Sequence, residues 1–413
     1  MIFAGILYLK KSYGRFKKKI LYQCIPSYHF EDEPPNLLLP YQEKNNFSKQ
    51  KEPLYILFRK GSPYGCITET LGVLSDKNAF YMYQIHSLSL KIDSLKNFSE
   101  ITNFKWIEQE ELDHNIITID PKGCKDFDDG IGIKIISETR KIISICISNV
   151  PLFLEKTKLW GFLTNRISSI YLPNKIIPML PFFLSENYCS LKEGKQRFVF
   201  MIDFTIENGK IINESFRQNI IIVKKNYIYE EEELLNSPIY KELYKITNEL
   251  KKIEDSHDLI SFWMTETNYR IAKKMRKGFF RKTEKDSSLF HEYRGIYVLE
   301  KEEDKSHEGL HFNIYTHITS PIRRIVDLIN LSYFQEEQNI YDFSKESKEI
   351  WKRWLNKIHE INEDMIKIKR IQNRCYWVDY VSNHQLSGEG KVIEKNRSEE
   401  HTSELQSHSD LVC

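Results

Sequence analysis

The spacing of apolar positions changes character near the middle of the chain. Between Ile116 and Val223 lie the runs IITI, IGIKIIS, KIISICIS, FVFMIDFTI and NIIIV, short, β-branched and aromatic. Such runs predict strands. A proline-marked connection, YLPNKIIPMLPFFL, separates the third from the fourth. From Tyr229 the period lengthens and predicts helices over roughly 229–252, 257–277, 321–336 and 345–382. Strands first and helices later predict an α+β fold, helices packed on a mainly antiparallel sheet. No internal repeat is present.

Ahead of this region, PLYILFRK and GCITETLGVL alternate and are punctuated by glycine. They predict a small β region of OB type over 51–110. Residues 1–50 read as a basic arm and linker, with EDEPPN as a breaker cluster. MIFAGILYL precedes KKSYGRFKKKI, the reverse of a secretory signal, which carries its charge first. Residues 1–30 hold no Asp or Glu, a weak likeness to an organelle transit peptide. The expected location is cytoplasmic. Near the other end, SGEGKVIEKN resembles the opening strand of a further β domain, 386–396. The last stretch, RSEEHTSELQSHSDLVC (397–413), resembles a translated sequencing adapter and is set aside from fold reasoning.

Charge changes the picture little. There are 60 basic and 58 acidic residues among 413, a formal charge of +2. The final 17 residues carry one arginine and four acidic residues, so without them the charge is +5. Any basic surface must come from local clustering. The seven cysteines form no C-x-x-C pair and have no histidine at zinc spacing, which points to free thiols. No apolar run approaches the ~20 residues of a transmembrane helix, so no membrane partner is expected.

One stretch demands chemistry. TIDPKGCKDFDDG places Asp120, Asp126, Asp128 and Asp129 within ten positions. At ~5 Å and an effective dielectric of ~20, each close carboxylate pair costs roughly 3 kcal/mol. Three readings are open: a solvated acidic loop, a calcium loop, or a magnesium site. The calcium register fails, because starting at Asp120 puts Lys122 and Ile131 where acids are needed, and starting at Asp126 puts Gly130 at position 5. A magnesium site suits hard oxygen ligands completed by water and substrate phosphate. Pro121 and Gly123 help the loop fold back between its strands.

A second stretch, YTHITSPIRRIVDLIN (Tyr315–Asn330), reads as a helix start. Ser320 is placed to cap it and Pro321 to open it. Ile322, Ile325, Val326 and Ile329 share a face. Arg323 and Arg324 in a first turn oppose the helix dipole, which an anion would relieve. The plainer reading pairs Arg323 with Asp327 on the surface.

These motifs resemble the signatures of the ribonuclease II/R (RNB) exoribonucleases, Dis3-like relatives included. T-I-D-P-x-x-x-K-D-x-D-D, then RISSIYLPNKIIPMLP with CSLKEG (Arg166–Gly194), then YTHITSPIRR occur in the family's order, and the likeness covers 112–382. It implies an RNB catalytic domain performing Mg²⁺-dependent 3′-to-5′ hydrolysis of single-stranded RNA to nucleoside 5′-monophosphates, with Mn²⁺ as an alternative metal. It implies that Asp120, Asp126, Asp128 and Asp129 are catalytic metal ligands, Asp128 the most rate-critical. Arg323 would stabilise charge on the attacked phosphate. Tyr229, in KKNYIYEEEE, matches the family's base-stacking tyrosine; the plainer reading is a helix-start tyrosine. Arg324, Tyr171, Arg166 and His307 are further RNA-side candidates.

The chain also departs from the family. CISN (Cys146–Asn149) replaces HIAD, Ser261 and Phe262 replace paired glutamates, and Gln372 lies near an expected acid. The arginine motif follows the aspartates at shorter spacing than in the bacterial enzymes. These departures keep a second reading open, an RNB-fold RNA-binding protein of weak or no activity.

Overall fold

The computed structural model describes residues 1–27, 37–42, 51–90, 115–285 and 293–383. The breaker cluster EDEPPN, the 386–396 strand and the 397–413 tail lie outside these residues. The chain divides into two compact units, Met1–Ser89 with Leu172–Asn174 and Arg370–Cys413, and Leu90–Tyr171 with Lys175–Lys369.

The first unit carries a five-stranded antiparallel sheet of β1 (Phe3–Phe16), β2 (Lys19–Pro26), β3 (Leu37–Tyr41), β4 (Leu54–Arg59) and β5 (Cys66–Val73), in the order β3-β2-β1-β4-β5. The helix α1 (Lys77–Ser87) follows. A small β region consistent with an OB type is therefore present, but it starts at Phe3. The basic arm expected over 1–50 is corrected, because three of the five strands lie there. The hairpin turn is Lys17–Lys18, both left-handed (φ 46° and 65°), with Phe16 opposite Lys19. A two-residue turn of this kind usually announces itself as Asn-Gly, and two lysines concealed it. Leu7, Leu9, Cys24, Leu39, Leu54, Ile56 and Phe58 make the core of this unit.

The second unit is built on β6 (Ile117–Asp120), β7 (Asp129–Ile135) and β8 (Arg140–Ser148). After α2 (Val150–Thr157) and the short β9 (Ile170–Leu172) and β10 (Lys175–Ile177) come β11 (Gln196–Glu207), β12 (Lys210–Ile222) and β13 (Lys225–Ile228). The sheet order is β12-β11-β8-β7-β6-β13, antiparallel except for the β6–β13 pair. The helices α3 (Glu232–Asn236), α4 (Pro238–Leu250) and α5 (Ser256–Lys274) precede a hairpin of β14 (Phe279–Lys285) and β15 (Tyr293–Leu299). The helices α6 (Ile325–Glu337), α7 (Lys345–Leu355) and α8 (Ile358–Asn383) end the described chain. None of the described helices is long and apolar enough to cross a membrane.

Period-two alternation gives the sheet two apolar faces. Ile131, Ile133, Ile143, Ile145, Ile147, Phe200, Ile202 and Phe204 share one core with Leu243, Ile246, Leu259, Trp263, Leu331 and Phe334 of the helices. Ile116, Cys146, Val199, Met201, Ile221 and Val223 pack in a second cluster with Leu191. The α+β expectation holds, with three local differences. The 229–252 segment breaks at Ser237, whose hydroxyl caps α4 by accepting from Tyr240 N–H. The 345–382 segment breaks into α7 and α8. The β14–β15 hairpin sits where no strand was expected.

That hairpin is tied to α6 by one buried amide. Asn330 Oδ1 accepts from Phe279 N–H (2.8 Å), and the two hydrogens on its Nδ2 are shared among the Phe279 carbonyl (3.0 Å), Thr316 Oγ1 (2.9 Å) and the His317 carbonyl (2.9 Å). Gly278, at φ 134°, is required beside it, since a Cβ there would stand 2.6 Å from Asn330 Oδ1. Asn330→Ala strips partners from several buried backbone groups and is expected to lose on the order of 3 kcal/mol. Urea unfolding with an unchanged m-value measures this; a loss under about 1 kcal/mol would refute the role assigned to the amide.

Candidate active site

β6 ends at Asp120 and β7 begins at Asp129, so the eight residues between them form one loop over the end of the sheet. A turn closes it, with Cys124 N–H on the Pro121 carbonyl (3.1 Å) and Gly123 left-handed at φ 86°. Gly130 allows the close return to β6, since a Cβ there would lie 3.0 Å from Ile116 Cγ2 and 3.1 Å from the Ile117 carbonyl. The CSLKEG motif braces the loop. Ser190 Oγ accepts from Phe127 N–H (3.1 Å) and donates to the Lys125 carbonyl (2.7 Å), and Leu191 N–H reaches the Phe127 carbonyl (3.0 Å). Asn226 joins the same brace to β6 through Thr118 Oγ1 (2.8 Å) and the Leu191 carbonyl (2.9 Å).

The carboxylates have separate partners. Asp128 is buried, 3% exposed. Its Oδ1 accepts from Ile322 N–H (2.7 Å) and its Oδ2 from Arg323 Nε (3.2 Å). Asp126 Oδ2 accepts from the Tyr171 hydroxyl (2.8 Å). Cys124 Sγ lies 3.8 Å from Asp120 Oδ1 and 3.7 Å from Asp126 Oδ1. Asp120 Oδ2 is buried with no hydrogen-bond partner among the described residues.

The SPIRR segment is a turn, which corrects the expected helix start. The Ser320 carbonyl accepts from Arg323 N–H (3.3 Å) and Arg324 N–H (3.0 Å), and the helix begins only at Ile325. Ser320 Oγ instead accepts from Nη2 of Arg323 (3.0 Å) and of Arg324 (3.1 Å). The plainer reading, an Arg323–Asp327 pair, is not what forms. Arg324 Nη2 bonds Asp327 Oδ1 (2.9 Å), which also accepts from Ser320 N–H (2.8 Å), while Arg323 turns to Asp128. The RISS motif pins this turn from the other side. Ser168 Oγ and Ser169 N–H both donate to the Arg323 carbonyl (2.9 Å each), and Ile325 N–H donates to the Ile167 carbonyl (2.9 Å). All three motifs thus meet in one place.

Burial decides the electrostatics. It pushes the Asp128 carboxyl well above the usual carboxylate range, against the pull of Arg323. Burial, then the neighbouring Asp129, raises Asp120; burial also raises Asp129, opposed by Arg323 and Arg324. Burial thus opposes ionisation of all three carboxyls. The four-ligand metal cage, however, is not formed. Among the described residues no three His, Cys, Asp or Glu side chains converge to hold a metal ion. Asp128 has one protein donor on each oxygen, Ile322 N–H on Oδ1 and Arg323 Nε on Oδ2. The orphaned Asp120 oxygen, which feels the charges of Asp129 and Asp126, is the donor left for a cation such as Mg²⁺, whose shell water and substrate phosphate would complete.

The other candidates divide. Tyr229 N–H bonds the Asp120 carbonyl (3.1 Å), since β13 runs parallel to β6 with Ile228 opposite Asp120. Tyr171 reaches Asp126. Arg166 Nη1 donates to the Pro178 carbonyl within its own motif. His307 lies edge-on to Tyr315, ring centroids 5.0 Å apart, and burial with nearby Arg281 lowers its pKa to about 4. Sequence reasoning missed Ser190 and Asn226, whose small polar side chains left no periodic signal, and gave Ser320 a capping role in place of its contacts with the two arginines. Of the departures, Asn149 caps α2 through Leu152 N–H (3.2 Å) and exchanges two hydrogen bonds with Gln335 (2.8 and 3.0 Å), both buried. Cys146 is buried, and Phe262 packs edge-on to Trp263.

A mainly antiparallel sheet flanked by helices, its carboxylate loop facing an arginine turn, defines the RNB class of domains. The model of the RNB domain matches residues 109–289 and 235–339, over half of the chain, and the chain belongs to that family. Ribonuclease R of Thermotoga maritima is 33% identical over 151 residues, covering 36% of this chain and 20% of that protein. DIS3-like exonuclease 2 of Xenopus tropicalis is 31% identical over 170 residues, covering 40% and 20%. The matched stretch is thus about a fifth of the length of these relatives. Among solved structures, Mycoplasma genitalium RNase R in complex with ribose-methylated single-stranded RNA aligns with 92% of this chain and 76% of its own, TM-score 0.67 at 18% identity. Yeast Ssd1, a pseudonuclease, aligns with 91% and 59%, TM-score 0.63 at 14% identity. At these identities the structural likenesses bear on the fold.

The raised carboxyls make stability pH-dependent. An acid whose folded-state pKa lies above its unfolded value favours the fold at low pH and loses that contribution as pH rises from about 4 through neutrality. Asp120→Asn removes one such acid. It is expected to melt above the parent protein at about pH 8, the gap closing near pH 4, in a series of thermal scans. Equal melting at both pH values would show that Asp120 carries no such strain.

Proposed function

We propose that this chain is a Mg²⁺-dependent 3′-to-5′ exoribonuclease acting on single-stranded RNA. The observation that carries the reading is the Asp128 carboxylate seated on Ile322 N–H and Arg323 Nε, which gathers the aspartate loop and the arginine turn into one site. Carboxylates for a cation and an arginine for a phosphate are the two parts phosphodiester hydrolysis needs.

Asp120, Asp126 and Asp129 would hold the metal, which when bound neutralises charge on the attacked phosphate and activates water. Arg323 would exchange part of its contact with Asp128 for a phosphate oxygen. Water adds to phosphorus, the bond to the preceding 3′ oxygen breaks, that oxygen takes a proton, and the terminal nucleotide leaves as a 5′-monophosphate. Tyr229 would stack on a base near the 3′ end. Stacking serves every base, so degradation is largely sequence-independent. Tyr171, hydrogen-bonded to Asp126, and Arg324, behind Arg323, would support the strand and the turn.

The second reading is an RNB-fold protein that binds RNA without cutting it. Two observations favour it: both Asp128 oxygens are taken by protein donors, and no three metal-ligating side chains converge among the described residues. A fold outlives its chemistry readily.

A 5′-labelled, unstructured RNA incubated with Mg²⁺ separates the two. The first reading expects a ladder shortening from the 3′ end, abolished by EDTA and by Asp128→Asn, and slowed about 10²–10³-fold by Arg323→Ala. Millimolar Mg²⁺ is also expected to raise the melting temperature of the parent protein and not of Asp120→Asn. Intact RNA, with no thermal response to Mg²⁺ and undiminished RNA binding, would establish the non-catalytic reading.

A further inference from the structure

We infer that His257 is a positioning residue for Tyr229, holding the tyrosine ring in the plane that receives an RNA base. The inference rests on the reading of Tyr229 as the stacking residue.

The two rings lie face to face, centroids 3.6 Å apart and planes within 11°. Tyr229 is half-buried, and His257 is exposed in the first turn of α5. Tyr229 packs against the core of sheet and helices, and the exposed imidazole lies on a ring that is already anchored there. The backbone on both sides is clipped. Glu230, left-handed at φ 57°, reverses the chain after β13. Its carboxylate then accepts from Ser256 N–H (2.7 Å) and from the Ser256 hydroxyl, and Ser256 is buried. A carboxylate at the first residue of α5 also suits the helix dipole. Asp255 caps the same helix by accepting from Asp258 N–H (2.9 Å). Tyr229 N–H is fixed to the Asp120 carbonyl (3.1 Å).

Three restraints therefore converge on one ring. β13 sets its distance from the aspartate loop, the Glu230–Ser256 clip sets α5 beside it, and the imidazole covers one face of it. A ring already immobilised loses less rotamer freedom when a base settles on it. The RNA end is thereby registered against Asp120 by a surface that exists before RNA arrives.

The test is a coupling measurement on the whole chain. A fluorescein-labelled, unstructured RNA is titrated in EDTA, with anisotropy as readout, for the parent protein, Tyr229→Ala, His257→Ala, His257→Phe and the Tyr229→Ala/His257→Ala pair. His257→Ala is expected to weaken binding about three- to tenfold. His257→Phe, which keeps a flat ring, restores it, and His257→Ala adds nothing once Tyr229 is gone. Parent-like binding by His257→Ala beside weakened Tyr229→Ala overturns the inference and leaves the stacking tyrosine standing. An equal loss from His257→Ala in both backgrounds also overturns it, since His257 would then touch RNA on its own account. Parent-like binding by Tyr229→Ala, or no binding by the parent protein, removes the reading beneath it.

Discussion

The site depends on one buried carboxylate. Asp128 bonds Ile322 N–H and Arg323 Nε across 194 and 195 residues of sequence. Burying a carboxylate and an arginine together is costly, and the pair is tolerated because each has further partners. Asp128 is also held by its backbone, its carbonyl accepting from Ser148 N–H (2.8 Å), and Arg323 reaches Ser320 Oγ. Removing the acid would leave a buried N–H and an arginine without its counter-ion, a change in the range of about 3–5 kcal/mol. The aspartate loop and the arginine turn therefore stand or fall together.

Around that contact the motifs work as scaffolding. The serine of CSLKEG holds Phe127 N–H and the Lys125 carbonyl, and the serines of RISS hold the Arg323 carbonyl. None of these groups bears charge. They fix backbone by hydrogen bonds, so the charged groups need not find their own places against mutual repulsion. Asn149 fits the same logic. Where the family has an acid, the amide forms a closed two-bond pair with Gln335, and the helix cap at Leu152 survives. The change alters charge next to the sheet without opening a hole in it.

Legibility in the sequence followed the range of the signal. The central strands were legible because Ile131, Ile133 and Ile135, then Ile143, Ile145 and Ile147, alternate without interruption. The aspartates and Arg323 were legible as motifs, because charge spacing survives in sequence. The N-terminal hairpin was not, since Lys17–Lys18 adopts a turn that lysine seldom makes. The β14–β15 hairpin was not, because FFRKTEK is mostly charged and its pairing partner lies beyond a connection. SPIRR read as a helix start because serine and proline do open helices. Tertiary demand won there: Asp128 takes Ile322 N–H, and a turn through Arg324 presents the two arginines in different directions.

That division between the arginines has a consequence for charge. Arg324 is committed, with Asp327 and Ser320 on its guanidinium and only 14% of its side chain exposed. Arg323 is more open at 23%, and its carboxylate, Asp128, is one whose ionisation burial opposes. A phosphate arriving beside Arg323 competes with a counter-ion that already bears its charge at a cost. The same burial raises Asp120 and Asp129, which gain by meeting a cation. Each strained group is thus relieved by the species that a phosphodiester and its metal would bring. A structural ion-pair network settles its charges internally. Here Asp120 keeps a buried oxygen with no donor among the described residues, and a cation beside it would supply the charge that burial makes costly to hold alone.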